Sequence, residues 1–360
     1  MRFPPRILSV FAAVAAAALT ACSGGESGSA SGSAATPAAG GAEEPVLNLY
    51  SARHYDADRI IYDGFTRATG IRINRIETTP DLLIERMRAE GEQSPADVVL
   101  MADAGALWRA QQAGLLQPVT SATLEQRVPQ QLREAEGRWW GFSRRARVIA
   151  YDTTRVRPEE VATYESLASP RFRGQVCVRS SENVYNLSLL GALIERWGEP
   201  RALAWARGVA GNMARQPQGG DIDQIRAVAA GACQVALTNS YYYLRLATSQ
   251  NAADSEVTQR VQLAFPEQAG TGAHVNISGG GVAAHAPHRA NAIRFLEYLT
   301  SEEAQHVFAD ANNEYPAVAG VTPPPAVQRY ADFRADPVPV SVYGQRQAQA
   351  QRLFDQAGWR

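Results

Sequence analysis

Between Val46 and Met101 the sequence alternates three short apolar runs with two helical stretches, and this most restricts the fold. Val46-Leu-Asn-Leu-Tyr50 has an alternating pattern, Ile71-Arg-Ile-Asn-Arg-Ile76 reads as a further strand, and Asp97-Val-Val-Leu-Met101 is apolar throughout after its first residue. Those are the patterns of strands half-buried and buried in a sheet. A helix is predicted from about Asp58 to Thr69, closed by Gly70. Another opens at Thr79-Pro80-Asp81, with Thr as N-cap and Pro at the first helical position, and runs to Gly91. A βαβαβ run in about sixty residues demands right-handed crossovers, and so a parallel sheet.

A second α/β set follows. Arg138-Trp-Trp-Gly-Phe142 reads as a hairpin edge strand and Arg147-Val-Ile-Ala-Tyr151 as a crossing strand. Gly174 to Val178 and Cys233 to Thr238 read as buried strands, and a helix is predicted from about Leu187 to Trp197. His274 to Ser278 is a returning strand, and Gly279 to Gly281 is read as a turn. A last helix is expected from about Gly344 to Gln356.

The chain starts with a targeting segment. Arg2 and Arg6 precede an apolar core, Ile7 to Leu19, that is too short to span a membrane stably. Leu19-Thr-Ala-Cys22 resembles a bacterial lipobox, so 1–22 is read as a lipoprotein signal peptide and Cys22 as the lipidated residue; the alternative is a plain signal peptide. Residues 23–45 are rich in Gly, Ser, Ala and Glu and form a flexible tether reaching roughly 25 Å. The expectation is a lipid-anchored globular protein outside the cytoplasm whose only membrane contact is its anchor. Removing Arg2 and Arg6 moves the formal net charge from −1 to −3, and nothing points to nucleic acid. Every basic residue is arginine, which excludes Schiff-base lysines and P-loops. Two further cysteines, Cys177 and Cys233, are expected to pair in an oxidising compartment, rather than remain buried thiols.

Chemistry concentrates where strands end. His54-Tyr55 follows the first strand, Tyr185 follows the strand of Cys177, and Tyr241-Tyr242-Tyr243 follows the strand of Cys233. In open α/β sheets ligands bind beyond the carboxyl ends of strands. Tyrosines at a strand end or in a turn can converge, whereas neighbours along a strand face opposite ways. Four phenolates and an imidazole suit a hard, highly charged cation, with Fe³⁺ the leading choice; Ca²⁺ and Mg²⁺ prefer carboxylates, and Zn²⁺ prefers Cys, His and carboxylate.

At these residues the chain resembles the ferric iron-binding periplasmic proteins, the solute receptors of iron ABC importers. The resemblance covers nearly all of 46–330. It rests on Tyr50-Ser-Ala-Arg-His54-Tyr55, Ser94-Pro-Ala-Asp-Val-Val, Val178-Arg-Ser-Ser-Glu-Asn-Val-Tyr185-Asn, Thr238-Asn-Ser-Tyr241-Tyr242, His274-Val-Asn-Ile-Ser278-Gly and Asn313-Glu-Tyr315-Pro316. It implies an α/β, two-lobed type II periplasmic binding protein, each lobe a mixed sheet flanked by helices. Lobe one would be 46–141 with 270–316, lobe two 142–269 with 317–360, crossing near 141–146 and 266–275. It implies Fe³⁺, or Fe²⁺, held in the interlobe cleft by His54, Tyr55, Tyr185, Tyr241 and Tyr242, and delivery by a monomer to a membrane permease. In another subgroup a glutamate ligand stands roughly where this chain has Ala102; the role is not carried to Asp103. A cation should offset the negative inner shell. Arg53, Arg145, Arg179, Arg215 and Arg245 are candidates, Arg145 and Arg215 foremost.

Tyr50 and Tyr243 are expected to pack in the core. A receptor for an organic cation, of polyamine or thiamine class, is the competing reading, through cation–π contacts. An enzyme is not expected: no His-Glu-x-x-His, Gly-x-Ser-x-Gly or CxxC motif occurs.

Overall fold

Apolar periodicity produces nine strands and thirteen α-helices among the described residues, 44–53 and 55–360 of a computed structural model. The leader, Cys22, nearly all of the tether and His54 lie outside the described residues. The strands are β1 Val46–Ser51, β2 Arg72–Glu77, β3 Val98–Met101, β4 Trp140–Asp152, β5 Val176–Cys177, β6 Val235–Asn239, β7 Val261–Ala264, β8 Val275–Val282 and β9 Tyr315–Pro316. The helices are α1 Asp58–Thr69, α2 Pro80–Glu90, α3 Ala104–Gln112, α4 Ala122–Arg127, α5 Val184–Trp197, α6 Glu199–Gly211, α7 Asp221–Ala229, α8 Ser240–Thr248, α9 Ala252–Arg260, α10 Arg289–Tyr298, α11 Glu302–Asp310, α12 Pro325–Gln328 and α13 Ser341–Ala357.

The strand order is β2-β1-β3-β8-β4-β6-β5, with β7 and β9 also pairing β4. β1 is parallel to β2 and β3, as the βαβαβ pattern requires, and β5 is parallel to β6. The long strand β4 joins the two halves. Its first half pairs antiparallel with β8 and its second with β6 and β7. At about 3.3 Å per residue its 13 residues span roughly 43 Å. The two separate strands expected over 138–151 are therefore one. The arginines at 144, 145 and 147 do not break it, because hydrogen-bonded partners on both edges absorb them.

A second correction concerns Gly279-Gly280-Gly281, which lie inside β8 and form no turn. A Cβ on Gly280 would collide with the Val99 carbonyl oxygen and Leu100, and one on Gly281 with the Arg138 carbonyl oxygen. The glycines allow close backbone approach in a central strand.

One apolar core packs around β1, β3 and β8, with Leu49, Phe65, Leu107, Trp139 and Phe295 fully buried. Two more flank the far half of the sheet, centred on Leu190, Trp205 and Phe354, and on Val148, Ile225 and Tyr243. Helix α13 joins both ends: Tyr343 belongs to the first core, Leu353 and Phe354 to the second. The expected disulfide is present. Cys177 and Cys233 are bonded with Cα atoms 6.0 Å apart, which ties β5 to the approach of β6.

Candidate metal centre

Each tyrosine of interest stands at or near a helix start. Tyr185 is in the first turn of α5, where its N–H donates to the Oδ1 of the N-cap Asn183 at 3.1 Å. Tyr241 and Tyr242 are in the first turn of α8, which starts at Ser240, earlier than the sequence implied. The helical turn, and not a strand end, is what lets two neighbouring phenols share one side: the Tyr241 and Tyr242 rings have centroids 4.1 Å apart. Tyr55 lies in the loop between β1 and α1. Arg53 braces that loop, donating to both Asp58 oxygens at 2.7 and 3.0 Å and to Glu314 at 3.2 Å. Its guanidinium stands 4.7 Å from the Tyr55 ring centre.

These elements bring the four tyrosines together. The Tyr185 and Tyr241 hydroxyls are 3.3 Å apart, and the Tyr55 ring meets Tyr241 edge-on at 6.1 Å. Tyr55, Tyr185 and Tyr241 are buried, while Tyr242 is partly exposed. A cleft of about 610 Å³ opens beside Tyr185 and is also lined by Arg53, Thr79, Asp103 and Arg179.

Burial disfavours the phenolates. It pushes Tyr55 up to about 12, with the Glu314 carboxylate adding to the shift and Arg53 and Arg145 opposing it. Tyr185 and Tyr241 are driven well above the ordinary phenol value, by burial first and by neighbouring phenols second. Loading such a cluster requires a cation strong enough to displace protons. The positive ends of α5 and α8 favour the resulting negative charge.

Of the arginines, Arg145 is buried beside the cluster. It donates to Ser278 Oγ at 3.3 Å and to the Ala102 carbonyl, and its guanidinium is 5.4 Å from the Tyr185 ring centre. Burial opposes its charge, yet Tyr185 and Asp103 hold its pKa above the usual arginine value. Arg179 is 5.5 Å from the same ring. Arg245, one turn along α8, faces three rings, at 4.9 Å from Tyr55, 5.2 Å from Tyr241 and 5.8 Å from Tyr242. The sequence offered no reason to rank it first. Arg215 instead donates to Gln224 Oε1 at 3.3 Å and lines a groove beside α7.

Asp103 is occupied elsewhere. It caps α3 through Gly105 N–H and accepts from Ser188 and Asn276. Among the described residues no group of three or more His, Cys, Asp or Glu side chains could hold a metal, so the tyrosines are the chemically distinct donor set. The remaining aromatics serve packing: the Tyr50 hydroxyl donates to Glu90 at 2.8 Å, Tyr243 to the Val261 carbonyl at 3.0 Å and Tyr315 to the Tyr330 carbonyl at 2.8 Å.

Residues 93–335 match the family described as bacterial extracellular solute-binding protein. The chain belongs to that family of solute-binding proteins. Iron uptake protein A2 of Synechocystis is 48% identical to this solute-binding protein, over 90% of this chain and 92% of that protein. The major ferric iron-binding protein of Neisseria meningitidis serogroup B is 27% identical, over 87% of this chain and 92% of its own length. Among solved structures, a Trichodesmium protein in complex with iron and citrate ligands superposes with a TM-score of 0.85 at 50% identity. It covers 88% of this chain and all of that one. A Campylobacter jejuni ferric binding protein follows at 0.83 and 37%, over 87% of this chain and all of that one. The fold is thus the α/β type II periplasmic binding protein fold. The family is one of solute-binding proteins and not of enzymes.

Proposed function

We propose that this solute-binding protein captures Fe³⁺ outside the cytoplasm and delivers it to the permease of an ABC importer. The observation that carries the reading is the meeting of Tyr55, Tyr185, Tyr241 and Tyr242, with two hydroxyls 3.3 Å apart. His54, next to Tyr55 in sequence, is proposed as a fifth ligand. Four phenolates on Fe³⁺ carry a net charge of −1, which the Arg145 and Arg245 guanidiniums offset from beside the rings. Iron bridging the Tyr55 loop and the first turns of α5 and α8 would complete its shell only with the cleft closed. Anchoring through Cys22 would hold the receptor at a membrane, within reach of its permease. The names of the relatives, an iron uptake protein and ferric iron-binding proteins, support the same cargo.

An organic cation fits less well. Arg53, Arg145, Arg179 and Arg245 already stand over the tyrosine rings and take up the ring faces that cation–π binding of an organic cation would need, whereas Fe³⁺ would bond the phenol oxygens. The test is metal analysis with a visible spectrum of the mature chain before and after ferric citrate. One iron per chain and a tyrosinate-to-iron charge-transfer band that disappears in Tyr241→Phe/Tyr242→Phe are expected. A colourless protein that takes up no iron would refute the proposal, and anaerobic uptake of Fe²⁺ alone would change its valence.

A further inference from the structure

Behind the tyrosine cluster a single guanidinium gathers three helix N-termini. Arg147 stands on β4 opposite Asn239 in the β4–β6 register. Its Nη1 donates to Asp221 Oδ2 at 2.7 Å and to Asn239 Oδ1 at 3.2 Å, and its Nη2 donates to Asn186 Oδ1 at 2.7 Å. Asp221 opens α7, Asn239 immediately precedes α8, and Asn186 lies in the first turn of α5. The contacts are reciprocal. Asp221 Oδ2 also accepts the Asn239 backbone N–H at 2.7 Å, and Asn186 Nδ2 donates to the carbonyls of Arg179 and Ser180. All four residues are buried.

Two of the three helices carry the proposed ligands directly beside these contacts. Tyr185 is the neighbour of Asn186, and Tyr241 follows Asn239 by two residues. A buried Arg–Asp pair is poor evidence for stability, since apolar side chains of similar volume often do as well; its better-attested use is to fix geometry. A planar guanidinium can address three acceptors in fixed directions, which no apolar replacement can do.

We propose that Arg147, Asp221, Asn186 and Asn239 form a positioning clamp. It holds the first turns of α5 and α8 in register, so that Tyr185, Tyr241 and Tyr242 meet one ion. The inference rests on the iron reading above. None of the four touches the ion; they act on where the phenol oxygens stand.

The experiment compares mature wild-type protein with Asp221→Asn, which keeps shape and loses charge, and Asn186→Leu, which leaves the Arg147–Asp221 pair intact. The control is Asp152→Asn. Asp152, at the end of β4, is also a buried carboxylate paired with arginine, here Arg155 and Arg260 at 2.8 Å, and shares no partner with the clamp. Each protein is titrated with ferric citrate, its charge-transfer band is recorded, and its iron-free melting temperature is measured. The clamp variants should lose roughly 10–100-fold in iron affinity, the magnitude usual for residues that orient metal ligands, and should shift or weaken the band. Asp152→Asn should lower the melting temperature and leave affinity and band unchanged. Wild-type affinity and spectrum in folded Asp221→Asn and Asn186→Leu would overturn the clamp, as would an equal spectral change in Asp152→Asn. If Asp221→Asn does not fold, Asn186→Leu decides. A wild-type protein without band or bound iron would refute the iron reading itself.

Discussion

Loading this protein with Fe³⁺ should release at least three protons at pH 7. The count follows from burial. With its pKa pushed to about 12, the Tyr55 hydroxyl is ionised in only about one molecule in 10⁵ at pH 7, and Tyr185 and Tyr241 are held higher than ordinary phenols by burial first and by neighbouring phenols, Tyr55 and Tyr242 among them, second. Ionising Tyr55 alone at pH 7 costs about 7 kcal/mol, which the metal–phenolate bond must offset. Each displaced proton adds one decade of apparent affinity per pH unit, so affinity should rise about a thousandfold per unit between pH 6 and 8. Calorimetry with ferric nitrilotriacetate in two buffers of different ionisation enthalpy gives the count, once the chelator's own protons are subtracted. Tyr185→Phe should lower it by one, and Tyr243→Phe, whose hydroxyl is bonded to the Val261 carbonyl, should leave it unchanged. Release of one proton or fewer, or affinity that is flat across this range, would refute the reasoning.

Other consequences concern the scaffold. Burial, reinforced by Arg147 and Arg145, lowers the His274 pKa to about 3, so the folded protein binds fewer protons there than the unfolded chain, with its value near 6.5. That contribution is present above about pH 6.5 and is lost as pH falls toward 3, by roughly 4–5 kcal/mol in total; urea midpoints of the iron-free protein against pH, with His274→Gln for comparison, would reveal it. Breaking the Cys177–Cys233 bond with a double serine substitution should cost about 4 kcal/mol, given 56 residues of separation, and a loss under about 1 kcal/mol by chemical denaturation would contradict this. Gly280→Val should destabilise the protein by at least ~3 kcal/mol, because the added atoms meet the Val99 carbonyl across the β3–β8 pair; an unchanged melting temperature would argue against that close approach.

What was legible in the sequence was local. Short apolar runs separated by helical stretches indicated that β1, β2 and β3 run parallel and put Tyr55, Tyr185 and Tyr241 just beyond strands, because side-chain periodicity is set by backbone geometry within a few residues; their order β2-β1-β3 came from the pairing. The cysteine pair was legible too, since only two cysteines remain beyond the leader. Tertiary structure decided what depends on pairing between distant segments. Whether Trp140 to Asp152 forms one strand or two depends on β8 and β6, which come later in the chain and supply its partners. Whether three glycines turn or extend depends on the carbonyls that press against them. Nor does any local pattern mark Asp221 as the partner of Arg147, 74 residues earlier, or bring Arg245 over the Tyr55 ring. Charges inside a protein are viable only where the fold delivers a partner, and that delivery is a property of the packed chain.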